Sequence, residues 1–339
     1  MTGARLILHA GHPKTGSSAL QSAFALSTTA LDQIGIHYPR PVHSDAARAG
    51  RITSGNFNPA RVVELYDSAC ARQPAAAAIL FSNEACFRLY LADPAPLRQL
   101  CDRGVAIEVI LFIRDPLGLA VSVYAQMLKR GGGVAGFEDF LKGFRFMAQL
   151  ERFLALMHEL GVTLSVRNYT RCSDRILGVT EDVLGVPAGT LTPPPVARIN
   201  RSLTRAEMDL LRRLNATLPE GTGARVADAL CQDLPLVETE MPCLPRPAYD
   251  GFAARMAPML ARLNAMLPEA EHLRMDPYDA RFGPQATPPT LSQAQEAVVE
   301  RALKHATLPA LGVEGAGAAA RLPPAFSPLR GLARWVWRR

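Results

Sequence analysis

Three short clusters carry residue types that can do chemistry. Gly11-His12-Pro13-Lys14-Thr15-Gly16-Ser17-Ser18 sets two glycines five residues apart around a lysine and three hydroxyls. Between a strand and a helix, such a loop turns backbone N–H groups and the positive end of the helix toward one point, which suits a phosphate-like anion. The nucleoside-triphosphatase version needs its lysine directly after the second glycine, followed by Ser or Thr for magnesium. Here Ser17 holds that position, and Lys14 sits inside the loop, where it reaches only atoms close to the first phosphate. In the second cluster, Arg114-Asp115-Pro116, Ser122 follows eight residues after the arginine. A guanidinium fork can grip phosphate through two parallel hydrogen bonds, and a serine two helical turns along adds a hydroxyl on the same face. Arg114 could equally pair with a carboxylate at a helix start. The third cluster, Ser82-Asn83-Glu84, offers a carboxylate at a strand end.

These clusters need elements that bring them together. Arg5 to His9, Ala76 to Phe81, Ile107 to Ile113 and Val162 to Tyr169 are short apolar runs of the kind that form buried strands. Helical spacing follows the first over Ser17 to Thr29 and frames the fourth over Ala148 to Leu160 and Ser173 to Leu184. Strands alternating with helices predict an α/β fold, a parallel sheet flanked by helices, with ligands at the carboxyl ends of the strands. The chemistry is then expected just after His9, Phe81, Ile113 and Tyr169. Past Pro193-Pro194-Pro195 the alternation stops, and Thr204 to Asn215, Tyr249 to Met266 and Ser292 to His305 read as helices of a helical C-terminal region. The expected organisation is a ligand-binding domain over 1–215, a helical extension packing on it over 216–305, and a loosely attached basic Arg/Trp tail over 306–339. Residues 40 to 60 read as a long loop of substrate-lid length.

Composition narrows the classes. The chain has 339 residues, 48% hydrophobic and 20% charged, the profile of a globular protein with a sizeable core. Arg321, Arg330, Arg334, Arg338 and Arg339 carry five of the six net positive charges, leaving residues 1–314 at +1. The pI of about 9.2 therefore belongs to the tail and argues against a nucleic-acid-binding face. No run reaches the ~18 apolar residues of a membrane span, and no signal-peptide core precedes the first strand, so a cytoplasmic location is expected. The tail's arginines with Trp335 and Trp337 suit a peripheral contact with an anionic membrane, or packing on the chain itself. Six cysteines lack metal-ligand spacing and read as small buried apolar residues. Neither metal nor disulfide is expected.

Pro13-Lys-Thr-Gly-Ser-Ser-Ala-Leu-Gln21 resembles the 5'-phosphosulfate loop of sulfotransferases that use 3'-phosphoadenosine 5'-phosphosulfate (PAPS), here of the bacterial type. Ser17 and Ser18 replace the usual threonines and keep the hydroxyls. The resemblance implies that Lys14 contacts the 5'-phosphate and the bridging oxygen, and that Thr15, Gly16, Ser17 and Ser18 belong to the same loop, the last three holding the 5'-phosphate. Arg114-Asp-Pro with Ser122 resembles the 3'-phosphate element of that family, and Val166-Arg-Asn-Tyr169 its strand ending near the adenine. Tyr169 reads equally as a core aromatic. Asn200-Arg-Ser202 resembles a late segment of bacterial members with no assigned role. The resemblance covers roughly residues 5 to 215. It implies metal-independent, in-line transfer of a sulfuryl group from PAPS to an acceptor hydroxyl, the subfamily flavour pointing to a carbohydrate.

Such a transfer needs a base for the hydroxyl proton and a cation for the departing bisphosphate. Lys14 suits the second task. Glu84 suits the first by position, with His43 and His37, after the first helix, as rivals; an imidazole needs less tuning than a carboxylate. His9 and His12 flank the loop and read as its supports. Two other classes stay open: a nucleotide kinase or ATPase with Asp115 on magnesium, which the misplaced lysine opposes, and a nucleotide-binding homologue without turnover.

Overall fold

The computed structural model describes residues 3–39, 55–130, 132–195, 201–284 and 288–307. His43, most of the 40–60 loop, Asn200, Gly131 and the Arg/Trp tail lie outside the described residues.

Five parallel strands, β1 (Arg5–Ala10), β2 (Ile36–His37), β3 (Ala78–Asn83), β4 (Ile107–Ile113) and β5 (Thr163–Asn168), form one sheet in the order β2-β3-β1-β4-β5. Helices α1 (Ser17–Leu26) and α2 (Thr28–Gln33) link β1 to β2, and α3 (Val62–Arg72) precedes β3. Then follow α4 (Cys86–Ala92) and α5 (Ala95–Asp102) before β4, and α6 (Pro116–Arg130), α7 (Phe137–Lys142) and α8 (Phe146–Glu159) before β5. The remainder is helical: α9 (Tyr169–Cys172), α10 (Ile176–Leu184), α11 (Arg205–Thr217), α12 (Thr222–Asp233), α13 (Arg246–Asn264) and α14 (Gln293–Thr307).

The three central strands are apolar along their length because helices cover both faces of the sheet. Leu6, Leu8 and Ala10 of β1 join Ile79 and Phe81, with Leu111 and Ile113, in the larger apolar layer; Ile7, Leu80, Ile110 and Phe112 face the smaller layer under α1 and α10. The larger layer continues into the C-terminal helices, so that Leu128 and Phe153 share one cluster with Leu211, Val226, Leu230, Phe252 and Leu260. Helix α12 packs on α6, α11 and α14.

The α/β fold, the parallel sheet and all four expected strands are present, each within two residues of its expected start. The helix expected over Ser173–Leu184 starts three residues later, as α10, and a short helix the sequence reading did not assign, α9, precedes it, the Asn168 side chain accepting from the Thr170 N–H at its start. Of the six cysteines expected to be buried, Cys86, Cys172 and Cys231 are, whereas Cys70 and Cys101 are half-buried and Cys243 is exposed. Among the described residues, no helix is long and apolar enough to cross a membrane.

The chain leaves β1 toward β2 and β3 on one side of the sheet and returns to β4 and β5 on the other. Open α/β sheets bind ligands where the strand order reverses in this way, here outside the carboxyl ends of β3, β1 and β4. Two cavities, of about 490 and 250 Å³, lie at the opposite edge around Arg5, away from the residues with chemical potential.

Candidate active site

The loop after β1 owes its shape to two left-handed residues, Lys14 at φ 61° and Gly16 at φ 81°. Lys14 is the one non-glycine residue with positive φ among the described residues, a conformation disfavoured for an L side chain and kept only when its surroundings enforce it. Gly16 has no room for a side chain: a Cβ there would lie 2.6 Å from Ile176 Cδ1 and 3.0 Å from the Tyr169 ring. At Gly11, a Cβ would come within 2.7 Å of Glu84 Cα, so the end of β3 presses directly on the loop. Inside the loop, Thr15 Oγ1 donates to the His12 carbonyl at 2.7 Å.

Helix α1 starts on Gly16 with no side-chain cap and no acidic residue in its first turn. The N–H groups of Ala19 and Leu20 both turn back to the Gly16 carbonyl. Its positive dipole end thus faces the loop with no side-chain cap, the Glu84 carboxylate reaching the Ser18 hydroxyl beside it, and such a helix start suits an anion. The Ser17 side chain is buried and Ser18 half-buried at this point.

Beyond β4, the Arg114 Nη1 donates 2.9 Å to Ser122 Oγ and 3.2 Å to the Lys14 carbonyl. The two clusters singled out in the sequence are therefore adjacent, with Arg114 joining them. Tyr169 completes this wall, its ring 5.6 Å from the Arg114 Cζ and against Gly16. Burial depresses the Arg114 guanidinium, partly offset by Tyr169, Asp276 and Asp115. Asp115 itself is buried and occupied: it accepts from Asn168 Nδ2 at 3.1 Å and from the Arg274 N–H at 3.0 Å, while its own N–H donates to Thr170 Oγ1. Its work is to tie β4 to β5 and to the 272–276 segment. That is a poor posture for the magnesium ligand of an ATPase.

Lys14 Nζ donates 2.7 Å to Gln126 Oε1, on α6 one turn past Ser122. Burial lowers the ammonium's pKa; Glu84 raises it in part, and Lys129 and Arg114 lower it further. Burial likewise pushes the Glu84 carboxyl up, against the field of Lys14 and a hydrogen bond from Ser18. Both side chains keep open contact with solvent, and the two facts agree in a cleft: the mouth is wet, while the walls strip water from one side of each group. Glu84 thus faces Lys14 across the loop, at the edge expected of a base. His37 lies apart, in β2, where it bonds Asp32 at 2.8 Å. His9 and His12 are buried, and desolvation lowers them to about 4 and about 3, which keeps both neutral near neutrality. His9 Nδ1 meets Ser82 Oγ at 2.7 Å, bracing β1 against β3, and His12 packs edge-on to Phe87 and Phe146.

Several contributors escaped the sequence reading. Gln126 lies four residues after Ser122, on the same helical face, and only its bond to Lys14 marks it out. Asn56 and Asn83 pin the segment after the long loop to β3: Asn56 Oδ1 accepts from the Ser82 N–H at 2.8 Å, and Asn83 Nδ2 donates to the Phe57 carbonyl at 2.6 Å. Arg201, in the segment without an assigned role, donates two buried hydrogen bonds to the Glu207 carboxylate at 2.6 and 2.8 Å, and its carbonyl accepts from Lys129 Nζ at 2.6 Å.

Fold and site together define an α/β protein with an uncapped strand-to-helix loop that Arg114 ties to Ser122. No protein-family model matches the sequence, and no curated protein does. Among solved structures, the chain is similar to a crystal structure of a sulfotransferase from Alicyclobacillus acidocaldarius, at 14% identity over 79% of this chain and 96% of that one, with a TM-score of 0.40.

Proposed function

We propose that the protein is a sulfotransferase that moves the sulfuryl group of PAPS to an acceptor hydroxyl by in-line displacement. The observation that carries this reading is the Arg114 bridge to both the Lys14 carbonyl and Ser122, which makes one cleft of the two motifs. The donor set fits such a ligand: uncapped helix N–H groups, Lys14, Ser17 and Ser18 for the 5' end, and Arg114 with Ser122 for the 3'-phosphate. When bound, PAPS would supply the activated sulfuryl group. Glu84 accepts the acceptor's proton, Lys14 offsets charge developing on the bridging oxygen, and Tyr169 lines the nucleotide side. The subfamily flavour of the motifs favours a carbohydrate acceptor, and labelled PAPS screened against sugars, polysaccharides and phenols identifies it. His43 competes with Glu84 for the role of base.

Calorimetry with adenosine 3',5'-bisphosphate and with ATP-magnesium tests the reading. We expect metal-independent binding of the bisphosphate, weakened ~10–100-fold by Lys14→Ala or Arg114→Ala through loss of a charge-assisted hydrogen bond. Preference for ATP-magnesium would replace this reading with the kinase one.

A further inference from the structure

An ammonium and a carboxylate that face each other in a partly desolvated cleft should pair. Lys14 and Glu84 do feel each other, each shifting the other's titration toward its charged form. Yet the hydrogen bond of the Lys14 ammonium, at 2.7 Å, goes to a neutral amide, Gln126 Oε1. Gln126 can hold it because Ser122 and Gln126 are four residues apart on α6, while Arg114 fixes the Lys14 backbone to the same helix from below.

The separation matters for any chemistry that needs both groups. Paired, Glu84 would lose basicity and Lys14 would spend its charge on the carboxylate rather than on a leaving group. We propose that Gln126 is a positioning residue that draws the Lys14 ammonium onto α6 and keeps it off Glu84, leaving one group free to take a proton and the other free to stabilise developing negative charge. The inference rests on the reading of Glu84 as base and Lys14 as leaving-group cation.

The groups that set this balance are few. Lys14 faces Glu84 from the end of β3, and Lys129 and Arg114 from the α6 side; Glu84 faces Lys14 from the loop and the Ser18 hydroxyl from α1. Lys129, on α6 and tied to the Arg201 carbonyl, repels the Lys14 ammonium from the helix that carries Gln126. Gln126 is the attraction that opposes this push.

The test is a carboxyl-carbon NMR titration of glutamate-labelled protein, with Glu84→Gln assigning the signal. Removing the amide in Gln126→Leu should let the ammonium swing to the carboxylate and lower the Glu84 pKa by ~1 unit or more. Gln126→Glu recaptures the ammonium and should return the titration to the wild-type position or above it. An unchanged Glu84 titration in a folded Gln126→Leu protein, judged by circular dichroism, overturns the inference; Gln126→Ala repeats the measurement should the leucine variant not fold. Calorimetry with adenosine 3',5'-bisphosphate on the wild type separates the two claims. Failure of that binding sinks the sulfotransferase reading, whereas binding with an unmoved titration sinks only the role of Gln126.

Discussion

As the proposed base, Glu84 is the residue whose loss the reading expects to stop turnover. Its carboxyl is held above the ordinary range by burial, so as a base it is active only once ionised, and the rate should fall toward acid from a pH above 4.5. The stability consequence has the opposite sign. Between the unfolded and the raised folded value, the native state binds more protons than the unfolded one, and stability falls as pH rises through that window. Glu84→Gln should therefore melt higher than wild type at pH ~8 and no differently at pH ~4, while losing ~10²–10⁴-fold in turnover and keeping bisphosphate affinity. Thermal melts at the two pH values and calorimetry check this; weakened bisphosphate binding in the variant would make Glu84 a ligand rather than a base. Lys14, Arg114 and Glu84 were legible in the sequence as candidates because each follows the end of a strand, and Ser122 because it lies two helical turns beyond Arg114. Gln126 was not, since an amide carries no chemical signature until the facing of α6 against the loop is known.

At the scale of elements, the loop between β1 and α1 depends on what packs around it. Gly16→Ala would force a Cβ into a left-handed position, costing roughly 1–2 kcal/mol for the conformation alone, and would drive it against Ile176 Cδ1 and the Tyr169 ring. The expected result is a destabilised protein with bisphosphate affinity lost by more than the stability change explains, read by urea unfolding and calorimetry. A variant that binds normally would mean that the loop does not hold the 5' end. The strands themselves were readable because buried parallel strands are apolar on both faces. The edge strand β2 escaped because its two residues, Ile36 and His37, are too short to show a period. Helix α12 escaped because it opens on Gly221-Thr222-Gly223, residues that read as a turn, although Thr222 and Gly223 are buried within the helix. In each case tertiary packing chose the conformation that local pattern left open.

The whole molecule is held to its helical region through a polar centre as well as an apolar one. Arg201 and Glu207 are buried together, and Gln295 of α14 donates to the same carboxylate at 2.8 Å. Burial alone would raise Glu207; the hydrogen bonds from Arg201, Thr204 and Gln295 overcome it and leave the carboxyl below its ordinary value. A carboxyl with a depressed folded pKa stabilises above its unfolded value, and that contribution disappears as pH falls through the folded value. Glu207→Ala strands the Arg201 guanidinium and also removes the capping box that starts α11, so it should cost ~3–5 kcal/mol at neutral pH. Replacing both partners, Arg201→Met with Glu207→Leu, leaves no buried charge and should recover most of that loss, less ~1 kcal/mol for the cap. Because Lys129 reaches the Arg201 carbonyl rather than its side chain, the double variant keeps the link from this centre to the cleft, and bisphosphate affinity should stay near wild type. Urea unfolding at neutral and acidic pH reads all three quantities. A double variant no more stable than Glu207→Ala would show that the ion pair itself, and not the avoidance of a stranded charge, holds the helical region in place.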